Sequence, residues 1–224
     1  MLGICYYGLV NLSELDPGWI LINIVVLLFS LSIHEAAHAW AADLLGDPTG
    51  RDLGRVTLNP MAHVDLLGTI VFPLVGLIGG GYIFGWAKPV PVHLDRLKNP
   101  KKGSILVAAA GPAMNIVAAC GFLIVLKLVP MFLSSVGPEN AAYPLFLLCQ
   151  QGLFLNVILA VFNLIPIPPL DGSWILAGFL PDYLAAWIDS VRPYSFMLLI
   201  LLLVSGTLGS ILGPVLGFVE RLAF

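Results

Sequence analysis

His34-Glu35-Ala36-Ala37-His38 sets two imidazoles four residues apart. In a helix both project from one face and can reach a single metal ion, with zinc the usual choice of such donors. Glu35 follows about 100° around the same helix, within reach of a water at that metal, where a carboxylate can accept a proton. The pattern therefore suits metal-assisted hydrolysis. It lies inside the apolar run 19–45, where an isolated ionisable side chain costs about 2.5–3.5 kcal/mol at the bilayer centre on insertion scales. A cation would compensate three such groups at once. Hydrogen bonding between helices would account for one histidine but gives no reason for Glu35 beside it.

Catalytic zinc commonly keeps three protein ligands and one water. The helix supplies two, and Leu44 stands where an extended pattern would place a third histidine. The candidates are His63, His93 and a carboxylate from elsewhere in the chain. Asp171 is the strongest of these. It closes Asn163-Leu164-Ile165-Pro166-Ile167-Pro168-Pro169-Leu170-Asp171-Gly172, where prolines end an apolar run and leave backbone exposed beside a carboxylate. His63 and His93 fall in polar, proline-flanked stretches and read as turn or surface histidines, held as reserve ligands. Asn115 follows the small-residue run Ala108-Ala109-Ala110-Gly111-Pro112-Ala113-Met114, which lets another helix approach closely. It serves either as a support or transition-state hydrogen bond at the site or as a tie between helices. Asn163 is the second polar candidate for such a substrate or supporting contact.

The elements that must position these groups are membrane helices. Of 224 residues 59% are hydrophobic and 10% charged, with a mean hydropathy of +0.98, against about 25% charged residues in soluble domains. Spans are expected at 19–45, 104–133 and 145–164, each long enough for a hydrocarbon layer of about 30 Å. A shorter helix is expected at 173–190. The tail 193–224, interrupted by Gly206, Gly209, Gly213 and Pro214, fits one kinked span or two short legs. Between the first two spans, 54–58 has strand-like composition, and the apolar stretch 66–86, broken by Pro73 and three consecutive glycines, reads as re-entrant. Ser13 and Asp16 are available as caps for the first span. No basic residue precedes Arg51, so a cleaved signal peptide is not expected and the first span should remain. The fold expected is an all-α polytopic membrane protein: a three-helix catalytic core, a small re-entrant or β element, and additional C-terminal membrane helices. Residues 1–224 form one membrane-embedded domain, with its core at about 19–180 and a C-terminal membrane segment at about 193–224.

Cys5, Cys120 and Cys149 are scattered and read as small hydrophobes, not as a disulfide framework or metal knuckle. Nothing in the charge pattern supports nucleic-acid binding. Seven of the ten Lys and Arg residues (Arg51, Arg55, Lys88, Arg96, Lys98, Lys101, Lys102) lie between the first and second spans. Basic loops favour the cytoplasm, so the amino terminus should face outward. His38 then lies about 10 Å from the inner end of its helix. Asp171 lies just past a span returning to that side, so the two should converge near the cytoplasmic third.

HEAAH, GPAMN and NLIPIPPLDG, in that order, together with GRVTLNPMAHVDLLGT and FGWAKPVP, resemble the site-2 protease family of intramembrane metalloproteases, in its compact prokaryotic branch, over about residues 19–180. The resemblance implies one zinc ion per chain, held by His34, His38 and Asp171, with Glu35 as general base. It also implies transmembrane protein substrates cut within the lipid bilayer, by regulated intramembrane proteolysis, at a prokaryotic plasma membrane with the active site towards the cytoplasm. A helical substrate must unwind before attack, and its extended backbone could pair near 54–58 or 86–90. The alternative reading is a membrane metal transporter using the same His and Asp cluster as a transit site. Glu35 separates the two, because transit does not need a general base.

Overall fold

The computed structural model describes residues 17–71, 86–132 and 141–224. Three long helices dominate: α1 (Pro17–Leu45), α2 (Pro100–Phe132) and α3 (Tyr143–Asn163). Their apolar stretches have mean hydropathies of 2.0, 2.0 and 2.1, and α3, the shortest at 21 residues, still reaches about 31 Å, enough to cross the hydrocarbon layer. Four shorter helices follow: α4 (Asp171–Phe179), α5 (Asp182–Val191), α6 (Ser195–Val204) and α7 (Thr207–Ala223).

The three long helices pack on one another with α2 antiparallel to both neighbours. The N–H of Lys98, just before α2, donates to Leu45 O at the end of α1 (3.0 Å), and deeper in, His38 meets Val107 while Ser30 meets Asn115. The distribution of side chains is that of a membrane protein. Leu21, Ile24 and Val25 on α1 and Ile116, Val117 and Ile124 on α2 are exposed, whereas Ser30, His34, Asn115 and Asn156 are buried. Without a hydrophobic drive between helices in lipid, such internal polar ties supply part of the association.

Pro181, preceded by Leu180 in extended conformation (ψ 157°), divides the helix expected at 173–190 into α4 and α5, as a proline disfavours helical geometry in the residue before it. The tail forms two legs: Gly206 adopts the left-handed region (φ 73°) and ends α6 in a turn that a side-chain-bearing residue would resist. α6 packs against Ile165 and Leu170 of the loop after α3, and α7 places Val219 and Ala223 against Leu126, Cys149 and Leu153.

The strand-like stretch 54–58 is not a strand, and no strand occurs among the described residues. Its polar groups are spent locally. Arg55 N–H returns to Gly50 O, Thr57 O accepts from His63, and Asn59 caps the turn Pro60–Ala62. Of the apolar stretch 66–86, Leu66–Val71 forms a helical turn; residues 72–85 of that expected re-entrant segment, like the caps Ser13 and Asp16, lie outside the described residues.

Candidate metal centre

α1 presents His34 and His38 on one face, both buried, with their Nε2 atoms 3.0 Å apart. Asp171, the first residue of α4, brings Oδ2 to 3.2 Å from His34 Nε2 and 3.4 Å from His38 Nε2. The depth of this carboxylate follows from where α3 stops. Asn156, seven residues before the end of α3, bonds to Ser30, fifteen residues before the end of α1, so α3 ends about 12 Å short of α1. The proline-containing loop 164–170 therefore begins well short of the end of α1, and Asp171 emerges level with the histidines. Gly172 permits the tight return, since a Cβ there would lie 2.3 Å from Leu164 O.

The hydrogen bonds assign the tautomers. His34 Nδ1 lies 2.6 Å from Asn115 Oδ1. Asn115 Nδ2 is committed as donor to Asn156 Oδ1 (2.7 Å) and Ser30 O (3.2 Å), so Oδ1 accepts and His34 carries its proton on Nδ1. His38 Nδ1 lies 2.7 Å from Val107 O, a carbonyl that can only accept, so it too is protonated there. Pro112 cannot donate to Ala108 O, which interrupts the helical ladder one residue past that carbonyl. Both Nε2 atoms thus turn unshared pairs towards Asp171, whose Oδ2 is buried without a hydrogen-bond partner.

Three electron-rich atoms converging at 3.0–3.4 Å repel one another unless a cation lies between them. Tetrahedral zinc with bonds of about 2.0–2.2 Å would separate its N and O ligands by roughly 3.3–3.6 Å, close to the observed triangle. The donor set fits zinc and leaves a fourth position. His34, His38 and Asp171 form the one such metal-capable group among the described residues.

Glu35 is partly buried, and its Oε2 accepts the N–H of Val90 at 3.0 Å. Val90 belongs to an irregular strap, residues 86–98, laid along the C-terminal half of α1. Arg55, buried without a carboxylate partner among the described residues, clamps the strap with its guanidinium, which donates to Ala62 O, Lys88 O (2.9 Å) and Pro89 O (2.8 Å). Further along, Asp47 accepts from His93 N–H (2.7 Å) and from the hydroxyl and N–H of Thr49. Burial alone would raise the Asp47 pKa, but the Thr49 and His93 hydrogen bonds outweigh it and hold the carboxyl below the usual carboxylate range.

The reserve ligands stand elsewhere. His63 is buried, not a surface residue: its Nε2–H donates to Thr57 O at 2.9 Å and its carbonyl takes Lys88 N–H, so it ties the strap to the turn. His93 is exposed and contributes its main chain to Asp47. Asn163 donates to Leu159 O of its own helix. Substrate pairing at 86–90 meets an obstacle, since the N–H groups of Trp86, Lys88 and Val90 already serve Gly68 O, His63 O and Glu35. Asn156 and Ser30 are the participants that the motifs did not reveal; an asparagine within an apolar span was the available signal. An apolar groove of about 210 Å³ lined by Ile33, Ala36, Trp40, Val56, Leu58 and Met114 lies on the side of α1 turned away from Glu35.

Against known proteins, residues 22–143 match the sequence model of peptidase family M50, a stretch that includes His34, Glu35, His38 and Asn115 but ends before Asp171. A Bacillus subtilis protein named "Putative zinc metalloprotease YwhC" is 33% identical over 86% of this chain and 84% of its own length. Two mycobacterial proteins named "Putative zinc metalloprotease Rip2" are 29% identical (Mycolicibacterium smegmatis) and 27% identical (Mycobacterium tuberculosis), each over 81% of this chain and 66% of its own length. No solved structure matches the chain.

Proposed function

The chain belongs to peptidase family M50, and we propose that this zinc metalloprotease of the membrane hydrolyses peptide bonds within the transmembrane segments of other membrane proteins. The observation that carries the reading is the convergence of two imidazole unshared pairs and one carboxylate oxygen, at 3.0–3.4 Å, inside a bundle of apolar helices. His34, His38 and Asp171 hold the zinc, one ion per chain. When bound, zinc acidifies water and polarises a peptide carbonyl.

The rest falls to the chain's own groups. Glu35 takes the proton from the attacking water and returns it to the leaving amine, the two roles of a general acid–base. Asn115 and Val107 O keep the histidine protons on Nδ1, which preserves both Nε2 atoms as ligands. Asn163, whose side-chain oxygen has no partner among the described residues, stands at the end of α3 for a substrate N–H. The unit works as one domain in the bilayer of a prokaryotic plasma membrane, with the site towards the cytoplasm on the side of the basic residues.

The test is incubation of the purified protein with transmembrane peptides, with and without a zinc chelator. Cleavage should require zinc, and Glu35→Gln should abolish it while zinc content stays that of the wild type. Peptides loosened by glycine or proline near the scissile bond should be cut faster than rigid ones. A protein that binds zinc but cuts nothing and instead moves metal across vesicles would overturn the reading.

A further inference from the structure

Val90 stands between Pro89 and Pro91, and proline has no N–H. Over three consecutive residues the strap therefore carries one main-chain donor, and that donor is spent on Glu35 Oε2 at 3.0 Å. The placement is enforced from both sides. Upstream, the Arg55 guanidinium and His63 O fasten Lys88 and Pro89; downstream, Asp47 holds His93 N–H. Val90 precedes a proline, which confines it to extended conformations, and its side chain packs close to Gly50.

The terminal torsion of a glutamate is broad and settles no orientation by itself. A donor on Oε2 restricts it, while Oε1 takes no hydrogen bond among the described residues. The flanking prolines add protection. Successive residues of an extended strand face opposite edges, so the edge opposite Val90 lacks N–H groups at both 89 and 91, and a substrate strand has little with which to pull the strap away.

We propose that the main-chain N–H of Val90 is a positioning donor for the reaction. It fixes the Glu35 carboxylate so that Oε1 alone exchanges protons with water and the leaving amine. The proposal rests on the protease reading above.

The experiment compares Val90→Pro, which removes the N–H, with Val90→Ala, which keeps it, and with Glu35→Gln. All are tested as full-length, zinc-loaded protein in detergent on one transmembrane peptide. The kcat of Val90→Pro should fall about 10- to 100-fold below that of Val90→Ala, the range typical of lost supporting hydrogen bonds, with KM and zinc content equal. Equal kcat values would overturn the proposal. A wild type that cuts nothing, or a Glu35→Gln variant that cuts as fast as wild type, would instead remove the protease reading. Should Val90→Pro fail to fold, amide exchange decides in 15N-valine protein, where the Val90 signal is the one missing from Val90→Ala. Its exchange should be slow in the wild type and fast in Glu35→Ala, and the same rate in both would sink the proposal.

Discussion

A methyl group added at Gly111 would fall 2.4 Å from His38 Nε2 and 2.6 Å from His34 Cε1. No rotamer change relieves that contact, because both rings are pinned through Nδ1 by Asn115 and Val107 O. Gly111→Ala should therefore weaken zinc binding by at least about tenfold, measured by competition with a chelator, and unchanged affinity would show that α2 yields. At this scale the sequence was most informative. Two histidines at helical spacing and a carboxylate after a proline run are unusual in an apolar chain, so His34 and His38 stood out by residue type, with Asp171 ahead of His63 and His93 as the third candidate, and the family resemblance implied the full set. Asn115 was equally visible beside a run of small residues, and Asn156 carries the same signal, a polar side chain within an apolar span. The Val90 donor was not visible as a side chain, since a main-chain N–H has no residue signature; only the prolines around it hinted at its isolation.

The strap 86–98 and the end of α1 form a unit held by Asp47. Its carboxyl is depressed in the fold, so it contributes stability that is present above the unfolded value near pH 4 and is lost as pH falls through the folded value. Asp47→Asn should lower unfolding stability in detergent by about 1–3 kcal/mol at neutral pH, and the gap to wild type should narrow below about pH 4. A gap independent of pH would show that the charge of Asp47 does not matter. Helix positions were legible because length and hydropathy suffice for spans, and α1, α2 and α3 lie close to the expected runs. The strap was not, because its order comes from Arg55, His63 and Asp47 acting across 25 to 46 residues, and such pairings leave no local periodicity. The stretch 54–58 misled for the same reason: β-branched composition reports a preference for extended backbone, and the local hydrogen bonds took that backbone for a turn.

For the molecule as a whole, the positive residues between the first two spans set an expected direction. Arg55 is turned inward as a clamp, but Arg51, Lys98, Lys101 and Lys102 remain exposed, and they cluster where α1 ends and α2 begins. In a protein with its native cysteines replaced, Lys98→Cys should react with an impermeant maleimide in inside-out vesicles and not in intact cells. The reverse pattern would turn the molecule over. Zinc enzymes commonly back a ligating histidine with a carboxylate, yet here His34 leans on a carboxamide and His38 on a peptide carbonyl. With a divalent ion in place, its two positive charges meet the single negative charges of Asp171 and Glu35, and the formal sum is zero. A third acid would leave a net anion in surroundings where each unbalanced charge costs about 2.5–3.5 kcal/mol. The neutral backing thus keeps the loaded centre electroneutral, a form in which it can rest within hydrocarbon.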